Sequence, residues 1–555
     1  MIGVAANPEE YEVVREFFEL FKTPWEFYRP EGQYEVMLIA RDDATAHGVT
    51  ANLVVVYAGQ ETLFDEDEKI AITSHRKNGT LSYKSSRLPI YGNNITFLGK
   101  GLTLLKDEGS QQSVGSLVKS GSKVLVRIGY DLFCELRVLL ADGQPHENAG
   151  IPTLEMHIAI LRDLIVESGI PLVEIPPIPE GHTFIACLTH DVDHPSIRHH
   201  GWDHTTFGFL YRAVIGSVLG VLRGRIPVRD LFTNWAAAAK LPFIHLGLAR
   251  DFWYEFDRYL DIERDLDSTF FVLPFKDRPG KTASGLAPRI RASGYGAADI
   301  AEQLQTFVSA GREIGLHGID AWIDTATGQE EKAQITNIAG AKNIGVRMHW
   351  LYFNESSPVV LERAGFTYDS TVGYNETVGY RAGTTQAYKP LPAHHLLELP
   401  LHVMDIALFY PSYLNLSFDE ANEQVGVIIN NAIRFGGAVT FNWHDRSLAP
   451  ERLWGEFYAK LISELKVKGA WCASAGRAVT WFQKRRSVTF HRVEQGMDVM
   501  LPNAHRNCDE QVPGIRVRVY NPTGIPTKPS EAYADTGLTT SMNIRLPFGR
   551  SVACQ

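Results

Sequence analysis

The sequence predicts an α/β protein built on a distorted (β/α) barrel of about seven strands, with an N-terminal α+β domain and a short β-rich C-terminal appendage. Two observations carry the barrel. Between residues 184 and 475 short apolar runs alternate with amphipathic helical stretches, the pattern of parallel strands joined by right-handed crossovers. Polar and ionisable residues collect at the C-terminal ends of those runs, where such barrels carry their chemistry. A third observation weighs against an open doubly wound sheet: no GxGxxG follows the first strand, and no Walker sequence occurs in the chain.

Taken in order, residues 1–175 form the α+β domain. Residues 34–40 and 49–57 have the β-branched content of strands, as do residues 123–127. A helix closes the region, with Pro152 in its first turn, Leu154, Ile158, Leu161 and Ile165 on one face, and Gly169 as its stop. The proline-rich stretch 175–181 is a linker into the barrel domain, residues 176–485, which carries a helical insertion near 200–260. The barrel opens on the apolar run Phe184-Ile185-Ala186-Cys187-Leu188. Further strands end at Leu273, His317, His349, Leu401, His444 and Cys472, separated by helices that stop at Gly311, Gly365 and Gly436. Residues 486–555, rich in Pro, Gly and Thr around the strand-like 514–520, are the appendage.

Composition narrows the function. The chain is 45% hydrophobic and 21% charged, as a folded globular protein is, and its formal charge of -10 offers no basic excess for a nucleic acid. Cys134, Cys187, Cys472, Cys508 and Cys554 form no CxxC and no disulfide framework, which suits a reducing compartment. The N-terminus meets Glu9 and Glu10 at once and lacks the basic and apolar regions of a signal peptide, so a cytoplasmic location is expected. The apolar stretch 207–222 contains Arg212 and is shorter than a spanning helix of about 20 residues. It reads as a buried or lid helix in preference to a membrane-surface one, and no transmembrane segment is expected.

The candidate site begins where the first barrel strand turns polar, at Thr189-His190-Asp191-Val192-Asp193-His194. Two carboxylates two residues apart can divide the labour, one binding a metal and the other accepting a proton, if histidines arrive from elsewhere. His317, His349 and His444 do arrive, each at the end of a later apolar run.

Thr189-His190-Asp191-Val192-Asp193 resembles the first motif of the polysaccharide deacetylase (NodB-homology, carbohydrate esterase family 4-like) superfamily. Similar pieces follow in the family's order: Glu313-Ile314-Gly315-Leu316-His317, Tyr368-Asp369-Ser370-Thr371, Gly379-Tyr380-Arg381-Ala382-Gly383, Leu399-Pro400-Leu401 with Asp405, and Asn442-Trp443-His444. The resemblance implies a metal-dependent deacetylase that hydrolyses an acetyl amide or ester on a carbohydrate or glycan precursor. It makes Asp191 the general base, Arg381 the arginine that holds it, His444 the general acid and Asp405 the group that orients His444. Asp193 and His317 become metal ligands. The family's second motif carries another histidine four residues after the first, and here that position is Ala321; His349 is expected to replace it. The metal implied is a divalent cation, Zn²⁺ first, with Ni²⁺ or Co²⁺ as substitutes, and no organic cofactor is implied. Two rivals remain: a non-catalytic carbohydrate-binding relative, and a hydrolase of the same fold acting on a non-sugar C–N amide.

Overall fold

The computed structural model describes residues 1–41, 49–98, 101–341, 343–494, 496–502, 512–520 and 533–545. The chain divides into two compact units. The first gathers Met1–Gly181, Tyr380–Leu391 and the described part of Thr480–Gln555; the second comprises His182–Gly379 and Pro392–Val479.

In the first unit one sheet takes up β1 (Ile2–Ala5), β2 (Trp25–Phe27), β3 (Val36–Ile39), β4 (Leu53–Tyr57), β5 (Ala71–Tyr83), β6 (Ser86–Leu98), β7 (Leu102–Asp107), β8 (Ser113–Ser120) and β9 (Lys123–Ile128), in the order β2-β1-β3-β4-β9-β8-β6-β5-β7. Its left half is parallel and its right half antiparallel. Strands β3 and β4 are almost wholly buried, as their β-branched runs require. A short strand, β10 (Leu172–Glu174), ends the N-terminal part of this unit.

The second unit is organised on β11 (Ile185–Val192), buried along its whole length. Around it lie β12 (Thr269–Val272), then, past a small hairpin of β13 (Lys281–Thr282) and β14 (Gly285–Leu286), β15 (Glu313–Gly318), β16 (Val346–Met348), β17 (Tyr368–Asp369), β18 (Leu397–Glu398), β19 (Val403–Met404), β20 (Ala438–Asn442) and β21 (Trp471–Ala473). The order is β18-β17-β16-β15-β12-β11-β20-β19, with β21 also on β11, and every pairing is parallel. This is the parallel, half-barrel sheet of a mixed α/β fold. The two edge pieces, β18 and β19, are successive parts of one extended stretch that leaves β17 and joins β20. Pro400 lies between them and has no N–H to donate, so the chain can change partner there without losing a ladder bond.

The expected insertion is present as the helix His204–Leu222, a second helix Val228–His245 and a short one at Phe256–Ile262. The reading of 207–222 as a buried helix needs correction: only one face is covered. Phe209 and Ala213 pack with Ala237, Leu241, Ile244 and Trp253, while the opposite side is exposed. An apolar helix has the same composition whether a core or some other apolar phase covers it.

The tail contributes β22 (Thr489–Val493), β23 (Gly496–Met500), β24 (Ile515–Tyr520), β25 (Tyr533–Leu538) and β26 (Ser541–Arg545). β24 pairs antiparallel with β10, and the described part of residues 486–555 groups with the N-terminal unit. Residues 546–555 of the expected appendage, and Cys508 and Cys554, lie outside the described residues.

Candidate active site

Parallel pairing sets the C-terminal ends of β11, β12, β15, β16 and β20 side by side, so the residues just past each apolar run meet. Asp191 is one of the last residues of β11 and is 3% exposed. Its Oδ1 accepts from Arg347 Nη1 at 3.0 Å and its Oδ2 from Asn442 Nδ2 at 2.7 Å, while its own N–H donates to Asn442 Oδ1 at 3.1 Å. A buried carboxylate is tolerable only when paired and hydrogen-bonded, and these partners supply both.

A guanidinium on Asp191 is thus supplied by Arg347, a residue to which the sequence reading gave no role. Arg381 belongs to the first unit, where its carbonyl accepts from Gln144 N–H at 2.7 Å and its side chain lies against Gly143. Arg347 is wholly buried on β16 and spreads its donors between Asp191, Thr189 Oγ1 (2.7 Å), Ser370 O (3.0 Å) and Ser370 Oγ (2.9 Å), over the face of Phe271. Sequence reasoning missed it. The signal was there: Arg347 and His349 are two residues apart, so alternation sends them the same way, and a cation inside an apolar strand needs an anion. Asn442 was quoted in a motif but given no role, and it is the second clamp on Asp191.

Opposite Asp191 stand His444 and Asp405. His444 Nδ1–H donates to Asp405 Oδ1 at 2.6 Å, and its backbone N–H donates to Asp405 Oδ2 at 2.7 Å. Burial alone would lower the imidazole's pKa, but the fully buried Asp405, with Asp193 and Asp191 beyond it, holds it up to about 9. His444 is thus a proton donor at neutral pH, with Nε2 3.7 Å from Asp193 Oδ2.

Asp193, His317 and His349 form the third group. Their ligand atoms all lie within 4.8 Å of one another. Asp193 Oδ1 faces His317 Nε2 at 3.4 Å and His349 Nε2 at 3.7 Å, and this buried oxygen makes no hydrogen bond. His317 Nδ1 lies 3.1 Å from the Arg347 carbonyl, which can only accept, so Nδ1 carries a proton and Nε2 is the nitrogen that faces the carboxylate. Burial drives the His349 pKa well below 6.5, which favours its neutral form. Two imidazole nitrogens converging on a buried, unpartnered carboxylate oxygen fit a divalent cation of the Zn²⁺, Ni²⁺ or Co²⁺ kind.

The site opens into a cavity of about 280 Å³ whose lining includes Asp193, His349, Trp350, His444, Arg291 and Arg446. Other residues singled out in the sequence have structural partners. His190 is buried between the Trp443 carbonyl and Glu263, each at 2.8 Å. His194 and His200 are 3.1 Å apart, and His200 reaches Asp203 at 2.8 Å. His402 Nδ1 accepts from the Thr440 N–H at 3.1 Å, Trp322 is 4% exposed, and Tyr388, 2% exposed, belongs to the first unit. Asp369 accepts from the Thr371 hydroxyl.

Fold and site together define a β/α protein with an Asp/His constellation at its strand ends. No family model matches the chain, and no curated protein matches it. Among solved structures it is similar to a protein described as a polysaccharide deacetylase from Mycobacterium smegmatis, with 20% identity over 57% of this chain and 99% of that one, at a TM-score of 0.35. It is also similar to Agd3, a carbohydrate deacetylase, with 10% identity over 98% and 99% of the two chains at a TM-score of 0.33. The Puue allantoinase is similar with 14% identity over 55% and 92%, again at 0.33. At such scores these likenesses decide nothing about chemistry.

Proposed function

We propose that this chain is a metal-dependent hydrolase that removes an acetyl group, as amide or ester, from a carbohydrate or glycan precursor. The observation that carries the reading is the division of the site: a clamped carboxylate, Asp191, on one side, a charged donor, His444, on the other, and the unpartnered Asp193 oxygen with two imidazoles between them. The choice of an acetylated sugar rests on the order of motifs from Thr189 to His444.

A divalent cation on Asp193, His317 and His349 would polarise the acetyl carbonyl and acidify the attacking water. Asp191 takes the proton of that water, and Arg347 and Asn442 hold it in place and aimed. His444 delivers a proton to the departing nitrogen or oxygen, and Asp405 keeps it charged until then. A cavity of about 280 Å³ suits one acylated sugar residue, at the small end of ligand pockets. A pure binding protein has no use for a donor held at about 9 beside a clamped carboxylate, so catalysis is preferred to the carbohydrate-binding alternative. The test is acetate release by the Zn²⁺-loaded chain from N-acetylated and O-acetylated saccharides, with allantoin as a non-sugar control. Release that disappears in Asp191→Asn is expected. A protein that binds Zn²⁺ yet releases no acetate from any saccharide overturns the reading.

A further inference from the structure

Cations line the cavity beyond what the proposed reaction uses. Arg212, Arg291, Arg446 and Arg452 all border it. Arg212 is answered by Glu451, whose side chain is almost fully buried behind it. Arg452 shares that carboxylate at 3.8 Å and donates to Ser447 Oγ. Arg291 has no carboxylate of this kind and donates to the carbonyls of Pro279, Ile319 and His349. Arg446 is 9% exposed, lies over the face of Trp253 at 4.9 Å, and its buried Nη1 has no hydrogen-bond partner. The nearby carboxylate, Asp445, already accepts from the backbone N–H groups of His194 and Arg446. A guanidinium held by stacking, with one fork nitrogen unanswered inside a cavity, is a site prepared for an oxyanion.

We propose that Arg446, with Arg452 beside it, receives an anionic group of the substrate, so that the preferred substrate is an acylated sugar bearing a carboxylate or phosphate. This rests on the hydrolase reading for its chemistry, but it is tested by binding. Titrate chelator-treated full-length protein calorimetrically with N-acetylglucosamine 1-phosphate, N-acetylglucuronosamine, N-acetylglucosamine and inorganic phosphate, for wild type and Arg446→Gln. Both anionic sugars should bind at least about tenfold tighter than N-acetylglucosamine, and Arg446→Gln should erase that difference while leaving the neutral sugar unchanged. Preference for the phosphate alone, or the carboxylate alone, identifies the anion. Equal binding of charged and neutral sugars overturns the proposal, as does inorganic phosphate binding as tightly as the sugar phosphate, or a discrimination that survives Arg446→Gln. Anion preference without turnover in the metal-loaded enzyme would remove the deacetylase reading and leave the subsite standing.

A second surface stands on different observations. The outer face of the 204–222 helix repeats Phe207, Tyr211, Val214, Ile215, Leu219 and Leu222 at helical spacing, all exposed, Leu222 at 77%. The packed 228–245 helix adds Phe232, Trp235 and Phe243, and Trp235 Nε1 donates to the Val214 carbonyl, so the two stripes are continuous. Around them stand the exposed Arg223, Arg225 and Lys240, while the exposed Arg229 is paired with Asp230 and Glu456, in a chain of net charge -10. Apolar and aromatic stripes with a basic rim match the interface of an anionic bilayer, lying in its plane. We infer that this hairpin docks on an anionic membrane surface. It does not cross the bilayer, because Phe209 and Ala213 on its other face are committed to the protein core. Flotation of the full chain should recover it with phosphatidylcholine–phosphatidylglycerol vesicles and hardly with phosphatidylcholine alone. Phe232→Ser/Trp235→Ser should abolish recovery, and Arg223→Glu/Arg225→Glu should cut it about tenfold or more. No recovery on anionic vesicles overturns the inference, as does unchanged recovery in both variants, or a dimer in solution that the Phe232→Ser/Trp235→Ser change dissolves.

Discussion

Replacing Arg347 with Met separates the arrangement seen in the structure from the one the motif order implies. Arg347 and Asp191 are 0% and 3% exposed and their ion pair is 3.0 Å long. At that distance and an effective dielectric constant of about 20, Coulomb's law gives about 5 kcal/mol, close to the roughly 3–5 kcal/mol lost when one partner of a buried pair is removed. Met fills much of the volume and keeps contact with Phe271, so the cost should be mainly electrostatic. The clamp on Asp191 is then reduced to Asn442, and a base that is no longer held in place should lose roughly 10²–10⁴-fold in rate. Three readings on one preparation decide the matter: the urea midpoint, kcat/KM for acetate release, and bound Zn²⁺. Arg347→Met should be less stable and nearly inactive but should still bind metal, since its side chain is not a ligand. An Arg347→Met enzyme with near-normal kcat/KM would refute the argument.

Three further outcomes follow from the same geometry. Asp193→Ala and His349→Ala should each lose the about one Zn²⁺ per chain expected of the wild type by elemental analysis; retention in His349→Ala would place the third ligand elsewhere. Asp405→Asn removes the charge that raises His444, so the alkaline limb of the pH–rate profile should move from about 9 toward the ordinary 6.5. Because that pKa is raised on folding, its stabilisation is complete below about 6.5 and is lost as pH climbs through about 9, and urea midpoints of the Asn variant in chelator should show a weaker decline over that window. Asn442→Ala strips one donor from Asp191 Oδ2 and one acceptor from its N–H, and should cost roughly 1–3 kcal/mol in denaturation together with a clear fall in kcat.

Much of the site could be read from the chain because strand ends announce themselves. Apolar runs that turn abruptly polar gave Asp191, Asp193, His317, His349 and His444 as neighbours on one edge, and the structure brings them together with Asp405. Arg347 was passed over because it interrupts an apolar strand from within, and Arg381 took its place through motif order, which carries no distances. The grouping of the tail with the first unit could not be read, since the pairing of residues 172–174 with 518–520 spans most of the chain and leaves no local mark. The exposure of the 204–222 helix was hidden for another reason: hydrophobicity reports what a helix would bury, and not what stands beside it.

The stretch Leu397–Met404 is the seam of the parallel sheet, and the residue that follows it is Asp405. Its first half is stitched to β17 and its second to β20. His444 acquires its proton-holding partner only when that second stitch is made. A chain whose seam is open would keep Asp193, His317 and His349 on their own strands, able to gather metal, yet hold an imidazole of ordinary acidity. Completion of folding and acquisition of the acid are then one event, and an unfinished molecule is safely idle.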